Sequence, residues 1–348
     1  MRAHSIGILL LLSLLTGCRH VLRTDSTISV PQPINAVVTA DLQANDRGPV
    51  TTWVVSGDPR CCPAHIAVLD IDGLLVNANM TGVYSASENP VSVLREKLDA
   101  IAQNPCTAAV VLRINSPGGG VAATEIMWHE LRLFRSRVPV PMVACLLDVS
   151  TGGGYYLATV ADTIVAYPGT IVGGIGVILN SYNMQDTLAQ FNVLDQSVKA
   201  GENIDMGSSL RAISPETRAW LQAMADEYHR SFQETVYKQR PQVSRDDPTT
   251  LDGRIFTANQ AMQRGLIDRV GTLEDAIAIA CQRPTSELCV VMYHRSADPA
   301  RSAFAITSNS PATSSLLPIS VPGLERSRLP TFLYLWEPDP TLERAKSY

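Results

Sequence analysis

The sequence has no excess of basic residues, since 28 Lys and Arg stand against 33 Asp and Glu, for a net charge of −5. No cluster of Lys and Arg stands out along the chain. Nucleic acids are bound mainly through cationic patches, so this balance excludes nucleic acid as the expected partner. Metal-ligand spacing of the C-x-x-C type is also absent, and we expect neither a metal site nor a cofactor.

Apolar runs long enough to cross a membrane are missing as well. The N-terminal run, Ile6 to Leu15 behind the positive Arg2, has about 10 residues, whereas a membrane-spanning helix needs about 20. A run of this length fits the apolar region of an export signal. The residues that follow it, Leu15-Thr-Gly-Cys18, resemble the lipobox of bacterial lipoproteins, in which the cysteine thiol receives a diacylglycerol.

These features predict a lipoprotein signal peptide over residues 1–17 and lipidation of Cys18. A plain secretory signal, or an uncleaved anchor with a chance cysteine, is the alternative. Arg19, rather than Asp, follows the lipidated position, which favours the outer membrane where the envelope has two. We therefore expect a protein of the cell envelope, lipid-anchored to a membrane, with its domain on the periplasmic or extracytoplasmic side. Six further cysteines are available for disulfides, which exported proteins form, and their pairing stays open.

Three regions follow the signal peptide. Residues 18–64 are polar and rich in Pro, Thr and Asp, which predicts a tether. Residues 65–282 alternate buried-strand patterns with helical spacing, which predicts an α/β fold: one main domain with a mostly parallel sheet and flanking helices. Residues 283–348 are predicted to form a Ser/Pro-rich C-terminal tail with one apolar patch, Phe332 to Trp336.

Helix starts are marked by Ser214 before a proline, by the capping-box pattern at Thr257 and by Thr272. After the first of these, Trp220, Tyr228 and Phe232 recur at helical spacing. Such an aromatic stripe lies either in the core or at an interface, and the core is the favoured interpretation.

Glycine-rich turns occur three times. Asn115 to Val121 and Asp148 to Tyr156 each follow a predicted strand, and Ile171 to Val177 is the third. Consecutive glycines allow a sharp turn and leave backbone N–H groups free at a helix start, where they can stabilise an oxyanion. One such turn could equally be a tight turn or a phosphate cradle, but the P-loop lysine and its spacing are missing. Three turns at these intervals are far more specific.

With these turns, the sequence resembles signal peptide peptidase A, a serine peptidase family of the ClpP/crotonase structural superfamily. The resemblance extends from about Ile66 to Ile279. Besides the glycine turns it includes Asp252-Gly-Arg254 and Gly265-Leu-Ile-Asp268. It implies a ClpP/crotonase-like fold, an oligomer, and substrates that are signal-peptide remnants or other membrane-proximal peptides.

The resemblance also implies where the catalytic groups should lie. The oxyanion hole of the family matches Gly118 and Gly119. Its nucleophile, a serine directly before Gly-Gly-Tyr-Tyr, matches Gly152, and its general-base lysine matches Ile204 when counted without gaps from Lys199-Ala-Gly201. Both catalytic side chains of the Ser-Lys pair are therefore missing from the expected positions.

Neighbouring residues offer a second possibility. Ser150 and Thr151 precede Gly152, and Lys199 lies five residues before Ile204. They could form a shifted nucleophile and base only if the loops were rebuilt, because attack geometry tolerates about 1 Å. Otherwise they are turn and surface residues.

Two function classes thus remain. One is an active envelope serine endopeptidase that uses a shifted nucleophile. The other is a non-catalytic relative, a homo-oligomeric peptide-binding or scaffold protein, and the substitutions at Gly152 and Ile204 favour it.

Overall fold

Ten strands and seven helices make up the part of the chain that a computed structural model describes, residues 48–57, 64–78, 88–281, 288–295 and 332–336. The strands are β1 (Val50–Ser56), β2 (Ala64–Leu75), β3 (Thr107–Gly120), β4 (Met142–Thr151), β5 (Thr163–Ala166), β6 (Ile171–Gly173), β7 (Ile255–Thr257), β8 (Arg269–Val270), β9 (Leu288–Arg295) and β10 (Leu333–Leu335). The helices are α1 (Pro90–Gln103), α2 (Val121–Arg137), α3 (Gly153–Ala158), α4 (Gln185–Gln190), α5 (Pro215–Gln239), α6 (Ala258–Gln263) and α7 (Leu273–Ala280), with a 3₁₀ turn at Pro248–Leu251.

All ten strands belong to one mixed sheet, whose main order is β1-β9-β2-β3-β4-β5-β8. The pairs from β9 through β8 are parallel, and β1 joins β9 antiparallel. Strand β6 pairs in parallel with the carboxyl end of β4 and antiparallel with β7. Strand β10 is antiparallel to the end of β3. The prediction of an α/β fold with a mostly parallel sheet is confirmed.

Both faces of the sheet are buried, as parallel sheets require. Successive side chains of β2 point to opposite faces because a strand has a period of two. Leu69 and Ile71 pack in the larger core, which α1, α2, α3 and α5 cover, whereas Ile66 and Val68 pack in a smaller core under α7. This explains why the central strands appear in the sequence as nearly continuous apolar runs.

The predicted helix starts lie where the sequence places them. Ser214 caps α5 by accepting a hydrogen bond from the Thr217 N–H, and capping boxes start α6 at Thr257 and α7 at Thr272. The aromatic stripe of α5 divides, since Phe232 is buried whereas Trp220 is 67% exposed. In the part of the chain that the structure describes, no helix combines the length and apolarity needed to cross a bilayer.

The sheet extends beyond residues 65–282 at both ends. Strand β1 lies in the region predicted as a tether, and β9 and β10 lie in the region predicted as a tail. Strand β9 is inserted between β1 and β2, and its side chains from Leu288 to His294 are buried. Its short apolar run had too little periodicity to predict this insertion. The lipobox around Cys18 lies outside the described residues.

Candidate active site

The three glycine turns meet at the carboxyl ends of β3, β4 and β6. Ser116 of β3 pairs with Ser150 of β4, and the N–H of Gly152 donates to the carbonyl of Gly173 over 2.9 Å. A Cβ on Gly154 would lie 2.6 Å from the carbonyl oxygen of Ser116, so the backbones of two turns approach each other closely. The sequence-predicted site is therefore one contiguous backbone surface.

Gly152 lies between the end of β4 and the start of α3, at a sharp strand-to-helix turn. Its backbone angles, φ 51° and ψ −122°, belong to a region that residues with a side chain adopt only under strain. The Gly-Gly-Tyr-Tyr segment that follows forms the fully buried helix α3. The turn expected for a nucleophile is thus built, and a glycine occupies it.

Gly118 and Gly119, the residues predicted to form an oxyanion hole, lie opposite this turn at the end of β3. The N–H of Gly118 donates to the hydroxyl of Ser116 over 3.1 Å, and that hydroxyl donates to the carbonyl of Gly73 over 2.7 Å. Gly119 lies opposite Tyr334 in the pairing of β3 with β10. Both predicted positions therefore border the turn at Gly152, and the N–H of Gly118 is engaged within the protein.

The alternative nucleophiles are both fully buried in β4. The Thr151 hydroxyl donates to the carbonyl of Pro117 over 3.2 Å. The Ser150 hydroxyl has no hydrogen-bond partner among the residues that the structure describes. Both side chains are therefore inaccessible to solvent, at the end of β4 directly before Gly152.

The base positions lie in a surface segment. Ile204 is 73% exposed. The Lys199 ammonium donates to a carboxylate oxygen of Asp205 and to the carbonyl of Glu202, each over 2.9 Å. The ion pair holds Lys199 within its own segment. In the part of the chain that the structure describes, Lys199 is not hydrogen-bonded to Ser150 or Thr151.

A buried cluster of charged residues on β2 and β3 precedes the glycine turn of β3. Arg113 donates to both carboxylate oxygens of Asp70, over 2.6 and 2.9 Å, and both side chains are 2% exposed. Near them, burial and then the carboxylate of Asp70 raise the pKa of Asp72 to about 6, although a hydrogen bond from Asn115 lowers it. These charged residues were not predicted to be functional from the sequence. The feature that could have indicated them is a charged residue within an otherwise apolar strand run.

Residues 135–285 match the family model described as peptidase family S49. The chain carries a domain of this family. The match to the S49 model includes Gly152, Lys199 and Ile204, whereas Gly118 and Gly119 precede it. The S49 assignment thus agrees with the resemblance to signal peptide peptidase A that the glycine turns carry.

Three relatives of the S49 domain show how far the similarity extends. The chain is 38% identical over 168 residues to a protein of Synechocystis whose name proposes a protease, covering 48% of this chain and 60% of the relative. It is 31% identical over 191 residues to the chloroplastic serine protease SPPA of Arabidopsis thaliana, which covers 55% of this chain and 28% of the relative. It is 29% identical over 218 residues to protease 4 of Salmonella typhi, which covers 62% of this chain and 34% of the relative. The chain thus spans between 28% and 60% of the length of these relatives.

Proposed function

We propose that this chain is a non-catalytic member of the signal peptide peptidase A family that binds peptides in the cell envelope and acts there as a scaffold. The observation that carries the proposal is the turn at Gly152. It has the strand-to-helix geometry of a nucleophile position, but the residue offers no side chain to attack a carbonyl.

The chemistry of a Ser-Lys pair makes this loss severe. A desolvated lysine with a lowered pKa takes the proton of the serine hydroxyl, so both side chains are needed together. Removing the nucleophile of a serine protease costs on the order of a millionfold in kcat. The ~10³-fold acceleration over water that survives from binding and an oxyanion hole is too small for a working peptidase.

The buried positions of Ser150 and Thr151 argue against a shifted nucleophile. Nucleophilic attack requires contact between the hydroxyl oxygen and the substrate carbonyl, and both side chains are fully buried. Lys199 would have to leave Asp205 to serve as their base. An active peptidase that uses these residues therefore needs a rearrangement of β4 and of the surface segment.

Peptide binding is supported by the edge of β3. Residues Gly118 to Gly120 accept a strand in antiparallel pairing. Pairing of this kind recognises extended backbone through main-chain hydrogen bonds, so it suits peptides and signal-peptide remnants of varied sequence. The domain would keep the groove of a peptidase and use it for binding.

Location in the envelope is a further part of the proposal. The lipobox predicts a diacylglycerol on Cys18, and Arg19 favours the outer membrane of a two-membrane envelope. Cys289 is disulfide-bonded, which suits an oxidising compartment outside the cytoplasm. We expect the folded domain on the periplasmic or extracytoplasmic side.

Self-association is supported by apolar side chains on one surface segment. Phe191, Leu194 and Val198 are exposed by 75%, 67% and 100%, and Ile204 lies in the same segment. Exposed apolar groups clustered in this way are typical of a protein–protein interface. We infer a homo-oligomer in which a second copy of the chain covers this segment.

The decisive test is a peptidase assay on the purified chain together with labelling by a fluorophosphonate probe. We expect neither turnover nor labelling. The variants Ser150→Ala and Thr151→Ala provide the matched comparison, and they should behave like the wild type. Turnover that either substitution abolishes would identify a shifted nucleophile and would refute the proposal.

A further inference from the structure

An extended segment of the chain itself, Phe332 to Trp336, lies in the groove between the glycine turns. On one side, the Val121 N–H donates to the carbonyl of Phe332 over 3.2 Å, and the Trp336 N–H donates to the carbonyl of Pro117 over 3.1 Å. On the other side, Leu333 and Ile178 exchange two backbone hydrogen bonds of 3.0 and 3.1 Å. The segment is therefore bound along both of its edges, like an inner strand of a sheet.

The side chain of Tyr334 fills an aromatic pocket beside the turn. Its ring stacks on Tyr156 with centroids 5.6 Å apart and packs against Phe232 at 4.8 Å. Its hydroxyl donates to the carbonyl of Tyr228 over 3.0 Å, and burial raises the pKa of Tyr334. Tyr334 is fully buried. An aromatic ring with a hydroxyl at its far end satisfies both the apolar walls and the polar end of this pocket.

The backbone of Tyr334 takes the space that a side chain on either turn would need. A Cβ on Gly152 would overlap the carbonyl oxygen of Tyr334 and lie 2.6 Å from its carbonyl carbon. A Cβ on Gly118 would overlap the same oxygen. A serine at residue 152 and this segment are thus mutually exclusive, so the missing nucleophile is what makes room for the segment.

The alternation of hydrogen bonds along β3 and β10 identifies Gly119 as the backbone partner of Tyr334. In an antiparallel pair, hydrogen-bonded positions alternate with positions that are not bonded. Phe332 and Trp336 are both hydrogen-bonded to backbone groups at or directly after the end of β3, and Tyr334 lies two residues from each of them. Tyr334 and Gly119, which lie opposite each other, are therefore also a hydrogen-bonded pair. The carbonyl of Tyr334 is therefore directed to the part of the site where the oxyanion hole is expected.

We propose that this groove is a binding site for an extended apolar peptide with a tyrosine at its centre, and that residues 332–336 are its resident ligand. The inference rests on the proposed peptide-binding function and adds the class of peptide and its source. The chain closes its own groove to other peptides, and a foreign peptide binds only when this segment leaves.

Amide hydrogen exchange on the full chain tests the occupancy. In the wild type, the amides of residues 333–336 should exchange slowly. Gly152→Ala introduces only a Cβ, and we expect exchange of this segment to become at least about tenfold faster while β2 stays protected. Gly169→Ala is the matched control, because a Cβ on Gly169 meets nothing within 4 Å, so exchange should be unchanged. Equal exchange in the wild type and in Gly152→Ala would overturn the proposal.

Peptide binding to a second variant tests the ligand class without altering the turn. Tyr334→Ala should release the segment, so that a fluorescent peptide of sequence Phe-Leu-Tyr-Leu-Trp binds this variant at least about tenfold more tightly than the wild type. The same peptide with alanine at its centre should bind neither protein. The proposal is wrong if the tyrosine peptide binds both proteins equally or binds neither. Fluorophosphonate labelling of the same samples separates this failure from a failure of the non-catalytic assignment.

Discussion

The carbonyl group of Tyr334 occupies the space that a Cβ on Gly152 would need. This relationship connects a glycine within the S49 match, residues 135–285, with a residue near the end of the chain. It makes the absence of a side chain at residue 152 a structural requirement of the observed arrangement.

Restoring the two catalytic side chains should not restore reactivity. From the sequence alone, Gly152→Ser with Ile204→Lys is expected to gain fluorophosphonate labelling. The structure changes that expectation, because the Ile204 side chain is 73% exposed. A lysine at residue 204 would stay solvated and keep an ordinary pKa, so it would be a poor base. We expect labelling of the double variant to equal that of either single variant, and clear labelling of the double variant alone would contradict this.

The carboxyl group of Asp72 should make folding stability depend on pH. Its pKa in the folded chain is about 6, above the ordinary 3.8, because burial and Asp70 disfavour its charge. A raised pKa means that this stabilising contribution is full below pH 3.8 and is lost as the pH rises through 6. We expect about 2 kcal/mol of unfolding free energy to be lost between about pH 4 and about pH 8 through this group.

Urea unfolding of Asp72→Asn measures that contribution. The variant should lack this part of the pH dependence and be more stable than the wild type above the pKa of Asp72. Asp186→Asn, at an exposed position of α4, serves as the control and should retain the wild-type dependence. An Asp72→Asn profile parallel to the wild type would show that Asp72 is not the group responsible.

Assembly should depend on the apolar surface segment around Leu194. Leu194→Asp places a charge on a side chain that is 67% exposed, so it should leave the fold intact and weaken contact with a second copy. Light scattering should report a lower mass for this variant than for the wild type. Met262→Asp, at a 42% exposed position on α6, is the control and should keep the wild-type mass. A wild type that is monomeric at every concentration would refute the assembly proposal.

Lipidation should depend on the lipobox cysteine alone. Cells fed a labelled fatty acid should incorporate it into the wild type and into Cys106→Ala, whose thiol is free in the folded domain. Cys18→Ala should incorporate none and should leave the membrane fraction. Equal incorporation in Cys18→Ala and the wild type would exclude lipidation at this residue.

The parts of the fold that local patterns encode were predictable from the sequence. The capping signals at Ser214, Thr257 and Thr272 depend on residues a few positions apart, and each starts a helix as predicted. The glycine turns were predictable for the same reason. Their meeting at one edge followed from the parallel sheet, whose strands all end at the same side.

Other parts depend on partners that are distant in the sequence and were not predictable. The patch at Phe332 was expected to be a sticky segment of the tail, because five apolar residues carry no indication of which groove they enter. Asp72 and Arg113 were missed because a charged residue in a strand shows its partner only when the strands pair. In both cases the determining contact is tertiary.

The position of β9 constrains when this domain can become native. It lies between β1 and β2 in the sheet, yet more than two hundred residues separate it in sequence from β2. Until residues 288–295 emerge, β2 presents an unpaired edge and β1 has no neighbour. Contacts of such long range form late and slow the search for the native state. In a chain delivered amino end first, the sheet from β1 to β2 would therefore be completed only after residues 288–295 have emerged.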